Sequence, residues 1–328
     1  MSETAKTDQR PPLFPALEVR ATGYLDVTDG HEMYFEQSGN PDGEPLLFLH
    51  GGPGSGSNPD HRRLFDPERF NIIQYDQRGC GKSRPHGLLD NNTTGDLVDD
   101  IKLLLDHLQI DEVHLAGGSW GSTLALCFAL KFPVRVNSLL LYGIFLGRDR
   151  ELQALYFRNG VAHQFHPELF EQFLALLPEQ DRDNPIEGYD RLFKDSDEEI
   201  SDQAVLMWTR LENSLLALVV DEKDLEKELS DPQYVLSHSL IENHFFSHNC
   251  FIDGNALLGM APKKLSDIPT HIIAGRYDLI CPVITAHELH KALPGSIFTI
   301  VPDAGHSFRE PGITAAIIKA SEGLPKSA

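Results

Sequence analysis

Positive charge, cysteine and long apolar runs are scarce in this 328-residue sequence. Lys and Arg number 28 against 49 Asp and Glu, leaving a formal net charge of −21 at pH 7. A surface of that sign repels phosphate backbones and anionic lipid, so neither nucleic acid nor a membrane is an expected partner. It mildly favours cationic ligands, although most of the charge reads as a solvated acidic face. No apolar run approaches the ~18 residues of a membrane-spanning helix. The first residues, MSETAKTDQRPP, lack the apolar stretch of a secretory signal, and a cytoplasmic enzyme is the expectation. The four cysteines, Cys80, Cys127, Cys250 and Cys281, show no CxxC spacing, which sets aside a disulfide framework and a zinc site. No internal repeat or low-complexity linker interrupts the chain.

What is present is an alternation of strand-like and helix-like segments. Pro45–Leu49 is a short apolar run that ends in His50-Gly51-Gly52-Pro53-Gly54, and Phe70–Tyr75 ends in Asp76-Gln77-Arg78-Gly79-Cys80-Gly81. Leu97, Ile101, Leu104, Leu105 and Leu108 recur at helical spacing. Val113–Ala116 predicts a strand, residues 122–132 an apolar helix stopped by Pro133, and Ser138–Tyr142 another strand. The order predicts an α/β fold with a mostly parallel central sheet, whose functional loops lie beyond the carboxyl ends of the strands. From about Phe145 to Gly254 the text turns helical, aromatic and acidic, and strands resume at His271–Ala274 and Ile297–Val301. Three segments follow: a core over 1–144 and 255–328, interrupted by a mainly helical cap over 145–254.

Gly117-x-Ser119-x-Gly121 lies between a strand and a helix, as a nucleophile elbow requires. The two late strands end near Asp278 and His306, so Ser119, Asp278 and His306 follow the chain order of an α/β-hydrolase triad. A hydroxyl needs an adjacent base, the role expected of His306, and the base needs an orienting carboxylate, the role expected of Asp278. Oxyanion donors are expected from the backbone N–H of Trp120 and of Gly52, with Gly51 as alternate.

Other signals carry less. Gly81-Lys82-Ser83 resembles the end of a phosphate-binding loop, but Asp76 stands where that loop needs glycine. In His287-Glu288-Leu289-His290 the histidines are one residue too close for a zinc helix, and His238, His244, His248 and Cys250 lack ligand-pair spacing. No metal and no cofactor are expected. Cys281, three residues after Asp278, reads as a packing thiol near the site.

HGGPGSG, DQRGCGKS, GGSWGSTLAL, GRYDLICP and AGHS together resemble the prolyl aminopeptidase (proline iminopeptidase) family of serine peptidases, from about Gly23 to Glu310. The resemblance implies an α/β-hydrolase fold with a helical cap, release of an N-terminal proline from short peptides, and no cofactor; the expected serine exopeptidase extends to other small first residues. It also implies that cap glutamates read the substrate ammonium, which matches Glu212 in Trp208-Thr209-Arg210-Leu211-Glu212 and Glu242 in Ile241-Glu242-Asn243-His244. Phe145 and Tyr156 correspond to the family's aromatic wall for the pyrrolidine ring. Leu211 departs from the pattern, which usually has tryptophan there. Two other readings use the same chain: an amidase or esterase of a small non-peptide compound, and a catalytically silent ligand-binding α/β-hydrolase. A haloalkane dehalogenase is disfavoured, since its nucleophile is aspartate. Oligomeric state is not legible.

Overall fold

A computed structural model describes residues 13–326. The amino-terminal stretch read above for targeting lies outside them. Strands β1 (Val19–Asp26), β2 (Glu32–Gly39), β3 (Glu44–Leu49), β4 (Phe70–Tyr75), β5 (Val113–Ser119), β6 (Val136–Ile144), β7 (Thr270–Gly275) and β8 (Ile297–Val301) form one sheet. Their order is β1-β2-β4-β3-β5-β6-β7-β8. β2 pairs antiparallel with β1 and β4, and every other pairing is parallel.

The inner strands are apolar at nearly every position because both of their faces are covered. Leu47, Leu49, Ile73, Leu115 and Leu141 join a core with α1 (Thr94–His107) and α2 (Trp120–Lys131). The alternate residues Leu46, Phe48, Ile72, Ala116 and Leu140 face the opposite layer, which includes Ile313 and Ile317. α1 starts at a capping box in which Thr93 and Asp96 exchange hydrogen bonds, and its periodic leucines are buried.

Between β6 and β7 the described chain holds helices and no strand. These are α3 (Asp149–Tyr156), α4 (Val161–Phe165), α5 (Pro167–Ala175), α6 (Pro185–Phe193), α7 (Glu198–Asn213), α8 (Glu222–Leu229), α9 (Pro232–Ser247) and α10 (Gly254–Lys264). α7 packs on α6 and α9, whereas α10 packs on α2 and on α11 (Val283–Ala292). Stacked rings fill the insertion: Phe173 on Tyr189 at 4.3 Å and Tyr156 on Trp208 at 4.4 Å. α12 (Pro311–Glu322) closes the second layer. None of the described helices is long and apolar enough to cross a membrane.

The loop after β4 is fastened to α1 by a buried ion pair. Arg78 Nε donates to Asp100 Oδ2 at 2.6 Å and its Nη2 to Oδ1 at 2.7 Å, with both side chains 1% exposed. Arg78 also donates to the carbonyl of Asn91 and to Thr28 Oγ1. Removing one partner strands the other charge in the interior, which typically costs ~3–5 kcal/mol. Asp100→Asn should therefore lower the urea midpoint substantially at unchanged m-value, whereas a midpoint within error of the parent would mean that the pair is solvated.

Candidate active site

β5 runs directly into α2 through Ser119, whose φ of 55° and ψ of −128° are unusual for a residue with a side chain. The flanking glycines permit the turn because backbone meets backbone there: a Cβ on Gly121 would lie 2.1 Å from the Leu49 carbonyl oxygen, and one on Gly117 would lie 2.7 Å from that of Gly121. Ser122 Oγ donates to the Ser119 carbonyl at 2.7 Å and accepts from Phe145 N at 3.3 Å, tying the turn to the start of the insertion.

Asp278 follows β7 and His306 follows β8. Asp278 Oδ1 accepts from the backbone N–H groups of Ile280 and Cys281 at 3.0 and 2.7 Å, and Oδ2 accepts from His306 Nδ1 at 2.8 Å. That bond places the imidazole hydrogen on Nδ1 and leaves Nε2 as the basic nitrogen. Burial disfavours the imidazolium, but the charge and hydrogen bond of Asp278 outweigh it and raise the pKa above 6.5. Ser119 and His306 face one cavity of ≈ 950 Å³. The insertion helps to hold this loop: Leu216 carbonyl accepts from His306 N and Ser307 N, and Glu310 accepts from Gly305 N and Leu218 N.

The loop after β3 lies against the serine. A Cβ on Gly51 would sit 3.3 Å from Ser119 Cβ, and Gly52 takes a φ of +99°. Gln77 joins three segments here. Its backbone N–H donates to His50 Nε2 at 3.0 Å, its side-chain amide donates to the His50 carbonyl at 3.0 Å, and its Oε1 accepts from Trp120 Nε1 at 2.9 Å. Nε2 of His50 is thus the acceptor, and Nδ1 donates to the Gly51 carbonyl at 3.0 Å. Burial lowers the His50 pKa and favours this neutral form. Trp120, at the first turn of α2, has a backbone N–H without an intrahelical partner.

A second, tighter pocket is lined by Gly52, Ser119, Phe145, Tyr156, Glu212 and Glu242, among others. Glu212 closes α7 and Glu242 lies on α9, both almost wholly buried. Tyr156 Oη lies 3.0 Å from Glu212 Oε2 and 3.2 Å from Glu242 Oε2, and Trp208 Nε1 donates to Glu242 Oε2 at 2.7 Å. Burial and the neighbouring Glu212 push Glu242 well above the usual carboxylate range. Burial would raise Glu212 too, but hydrogen bonding and charge from His238, with support from Glu242 and Tyr156, bring it below its ordinary value. One proton shared by the pair accounts for both directions.

All the expected site residues but Asp278 and Trp120 line one of two adjoining pockets, while Asp278 bonds to His306 and Trp120 follows Ser119; the structure adds four more. Trp208, His238, Gln77 and Glu310 hold or face the expected groups. Two had a readable signal: Trp208 precedes Glu212, and His238 precedes Glu242, by four residues, one helical turn on the same face. The other two histidines of the His238 cluster, His244 and His248, line neither pocket. His244 Nε2 contacts the Asn92 carbonyl and His248 Nδ1 the His244 carbonyl. Glu288 is engaged by Arg148 and Arg150. Among the described residues, side chains of metal-ligand type converge only at Glu212, His238 and Glu242, with one donor atom of each within 4.8 Å of the others. Cys281 Sγ lies 4.0 Å from Ser119 Oγ, and burial raises its pKa well above 9, so it is a thiol. Leu211 is buried in the core rather than lining either pocket.

The chain matches a family model described as alpha/beta hydrolase fold over residues 44–310. It is 43% identical to a proline iminopeptidase of Arabidopsis thaliana over 95% of this chain and 82% of that protein. It is also 43% identical to a probable proline iminopeptidase of Leptolyngbya boryana, over 94% and 96%. Among solved structures, a haloalkane dehalogenase loop variant from Bradyrhizobium elkanii superimposes with a TM-score of 0.64 at 19% identity, covering 93% of this chain and 97% of that one. A putative lipase from Acinetobacter baumannii gives 0.61 at 18%, covering 94% and 90%. These structural likenesses, at low identity, speak to the fold alone. By sequence relationship across nearly its whole length, the chain belongs to the proline iminopeptidase family of α/β-hydrolases.

Proposed function

We propose that the protein is a serine exopeptidase that releases an N-terminal proline from short peptides through an acyl-enzyme, without a cofactor. One observation carries the reading: a single tight pocket is lined by Ser119 and by the buried carboxylate pair of Glu212 and Glu242. A nucleophile and an ammonium receptor in one small pocket select the carbonyl of the first residue. Residues 145–254 act as a cap on the core of 1–144 and 255–328, and its two glutamates exclude blocked and internal peptides by leaving buried acceptors unfilled. Phe145 and Tyr156 give the pyrrolidine ring apolar contact.

In this mechanism Ser119 Oγ attacks the prolyl carbonyl while His306 Nε2 takes its proton. Asp278 holds the imidazole and stabilises its cationic form. The N–H groups of Gly52 and Trp120 stabilise the oxyanion. His306 then protonates the leaving amine, which departs into the larger cavity, and water activated by the same nitrogen releases proline. The four cysteines are free, which suits a reducing cytoplasmic compartment.

Proline arylamide should be turned over with dependence on Ser119, and acetylation of its nitrogen should reduce kcat/KM by roughly 10³-fold or more. Glu212→Gln and Glu242→Gln should each weaken use of the free amine while leaving Ser119 reactive toward a fluorophosphonate. Unimpaired hydrolysis of the acetylated compound would instead identify an amidase or esterase of small molecules, and an unreactive Ser119 would identify a silent binding protein.

The pH profile separates the two sites. The base must be neutral, so kcat should fall as pH drops through the raised pKa of His306, above 6.5. The substrate ammonium displaces the proton shared by the glutamates, so KM should rise as pH falls through the raised pKa of Glu242. Glu242→Gln should flatten the KM profile and spare the shape of the kcat profile. A kcat that does not decline on acidification would remove His306 from the role of base.

A further inference from the structure

The larger cavity holds a hydrogen-bond donor that the mechanism above leaves idle. His61, in the connection between β3 and β4, is 8% exposed and lines this cavity together with Ser119 and His306. Its ring is wedged between Phe48 of β3, stacked at 4.3 Å, and Phe308 of the His306 loop, at 4.5 Å. The backbone N–H of Asn58 donates to its Nδ1 at 3.2 Å. A backbone N–H can only donate, so Nδ1 holds the lone pair and the ring hydrogen lies on Nε2. Burial, with smaller contributions from His50 and Arg309, holds the pKa well below 6.5, so the ring is neutral. Among the described residues Nε2 has no acceptor, and it is not sealed in the interior as Glu242 Oε1 is, so it opens on the cavity.

A cation stands beside it. Arg309 lines the same cavity, close enough for its charge to act on His61. Its Nη1 donates to Glu228 Oε1 at 2.9 Å, and the N–H groups of Nε and Nη2 have no acceptor among the described residues. The acids lining the cavity outside the ammonium pocket are mostly held elsewhere: Asp60 by Arg63, Asp76 by the N–H groups of Ser57 and Lys82, and Asp231 by the first turn of α9. Asp224 is exposed on α8. A neutral N–H beside a guanidinium with unused donors suits an anion that offers oxygen acceptors.

We infer that His61 and Arg309 form a carboxylate seat for the leaving peptide, so that the enzyme reads both ends of a short substrate. The inference rests on the exopeptidase reading above. Ser119 opens into both pockets, so a peptide whose first residue fills the tighter one extends its remaining residues into the larger. Its terminal carboxylate there accepts from His61 Nε2 and from the unused donors of Arg309. The net charge of −21 draws an amidated peptide, the more cationic form, more strongly than the free acid. A preference for the free acid therefore has to come from a local seat.

The test measures kcat/KM for Pro-Gly and Pro-Gly-Gly, for the carboxamides of both, and for proline 2-naphthylamide, whose leaving amine has no oxygen. Amidation should cost the full-length wild-type protein roughly 10-fold or more on at least one of the peptides. Arg309→Gln should bring the acid-to-amide ratio of that peptide towards one. His61→Phe, which keeps the stack but offers no donor, should lower its use relative to the naphthylamide, and His61→Gln, which restores an N–H, should recover part of the loss. Equal losses on peptide and naphthylamide in His61→Phe would reduce His61 to a packing residue and overturn the inference. Equal wild-type use of acids and amides would overturn it too, while turnover of the naphthylamide left the exopeptidase reading standing. That comparison needs no variant, and Arg309 is half-exposed, so the matter is decided even if His61→Phe fails to fold. Release of proline from none of these substrates would bring down the exopeptidase reading itself, and this inference with it.

Discussion

The backbone contact between the end of β3 and the start of α2 is the constraint on which the site depends. With the Leu49 carbonyl 2.1 Å from where a Gly121 Cβ would be, no larger residue fits, and Ser119 is held in its unusual conformation. The same approach sets the Gly51-Gly52 loop against Ser119, so the proposed nucleophile and oxyanion donors are positioned by one packing event rather than by separate loops. Gln77 then locks the arrangement through His50 on one side and Trp120 on the other. Preorganised donors of this kind need little reorganisation during reaction.

The second organising force is electrostatic. Burying two carboxylates side by side is costly unless protons, donors or a cation offset the charge. The Tyr156 hydroxyl and Trp208 indole supply donors, and a shared proton removes one charge until a cation arrives. Stacking of Tyr156 on Trp208 keeps both donors aimed at the pair. The aromatic content of the insertion is therefore part of the electrostatics as well as of the packing.

The sequence shows much of this fold for identifiable physical reasons. β3, β4, β5 and β7 were legible because burial on both faces writes them as apolar runs. β1 and β2 did not stand out: β1 alternates between exposed and half-buried positions, and β2 carries Glu32, Glu36, Gln37 and Ser38, so neither reads as a buried strand. β6 extends to Val136 and Ile144, past the predicted Ser138–Tyr142, because Asn137 and Gly143 break the apolar pattern without breaking the ladder. The elbow and the two late loops were visible since each pairs a strand end with glycine or a turn. His238 stood among several histidines of the insertion; its one-turn spacing from Glu242 was readable, but its approach to Glu212 emerges only when α9 packs against α7. Gln77 was hidden because a polar residue in a glycine-rich stretch looks like ordinary loop.

The attachment of the His306 loop to the insertion bears on modularity. His306 and Ser307 hang by their backbone N–H groups from the Leu216 carbonyl, and Glu310 grips both Leu218 and Gly305. Although the insertion is contiguous in sequence and looks exchangeable, part of it is scaffolding for His306, the proposed general base. A chimaera that imports a foreign insertion onto this core inherits the serine and the aspartate intact but must rebuild the histidine's suspension. A rigid swing of the whole insertion would break the hydrogen bonds from which the His306 loop hangs.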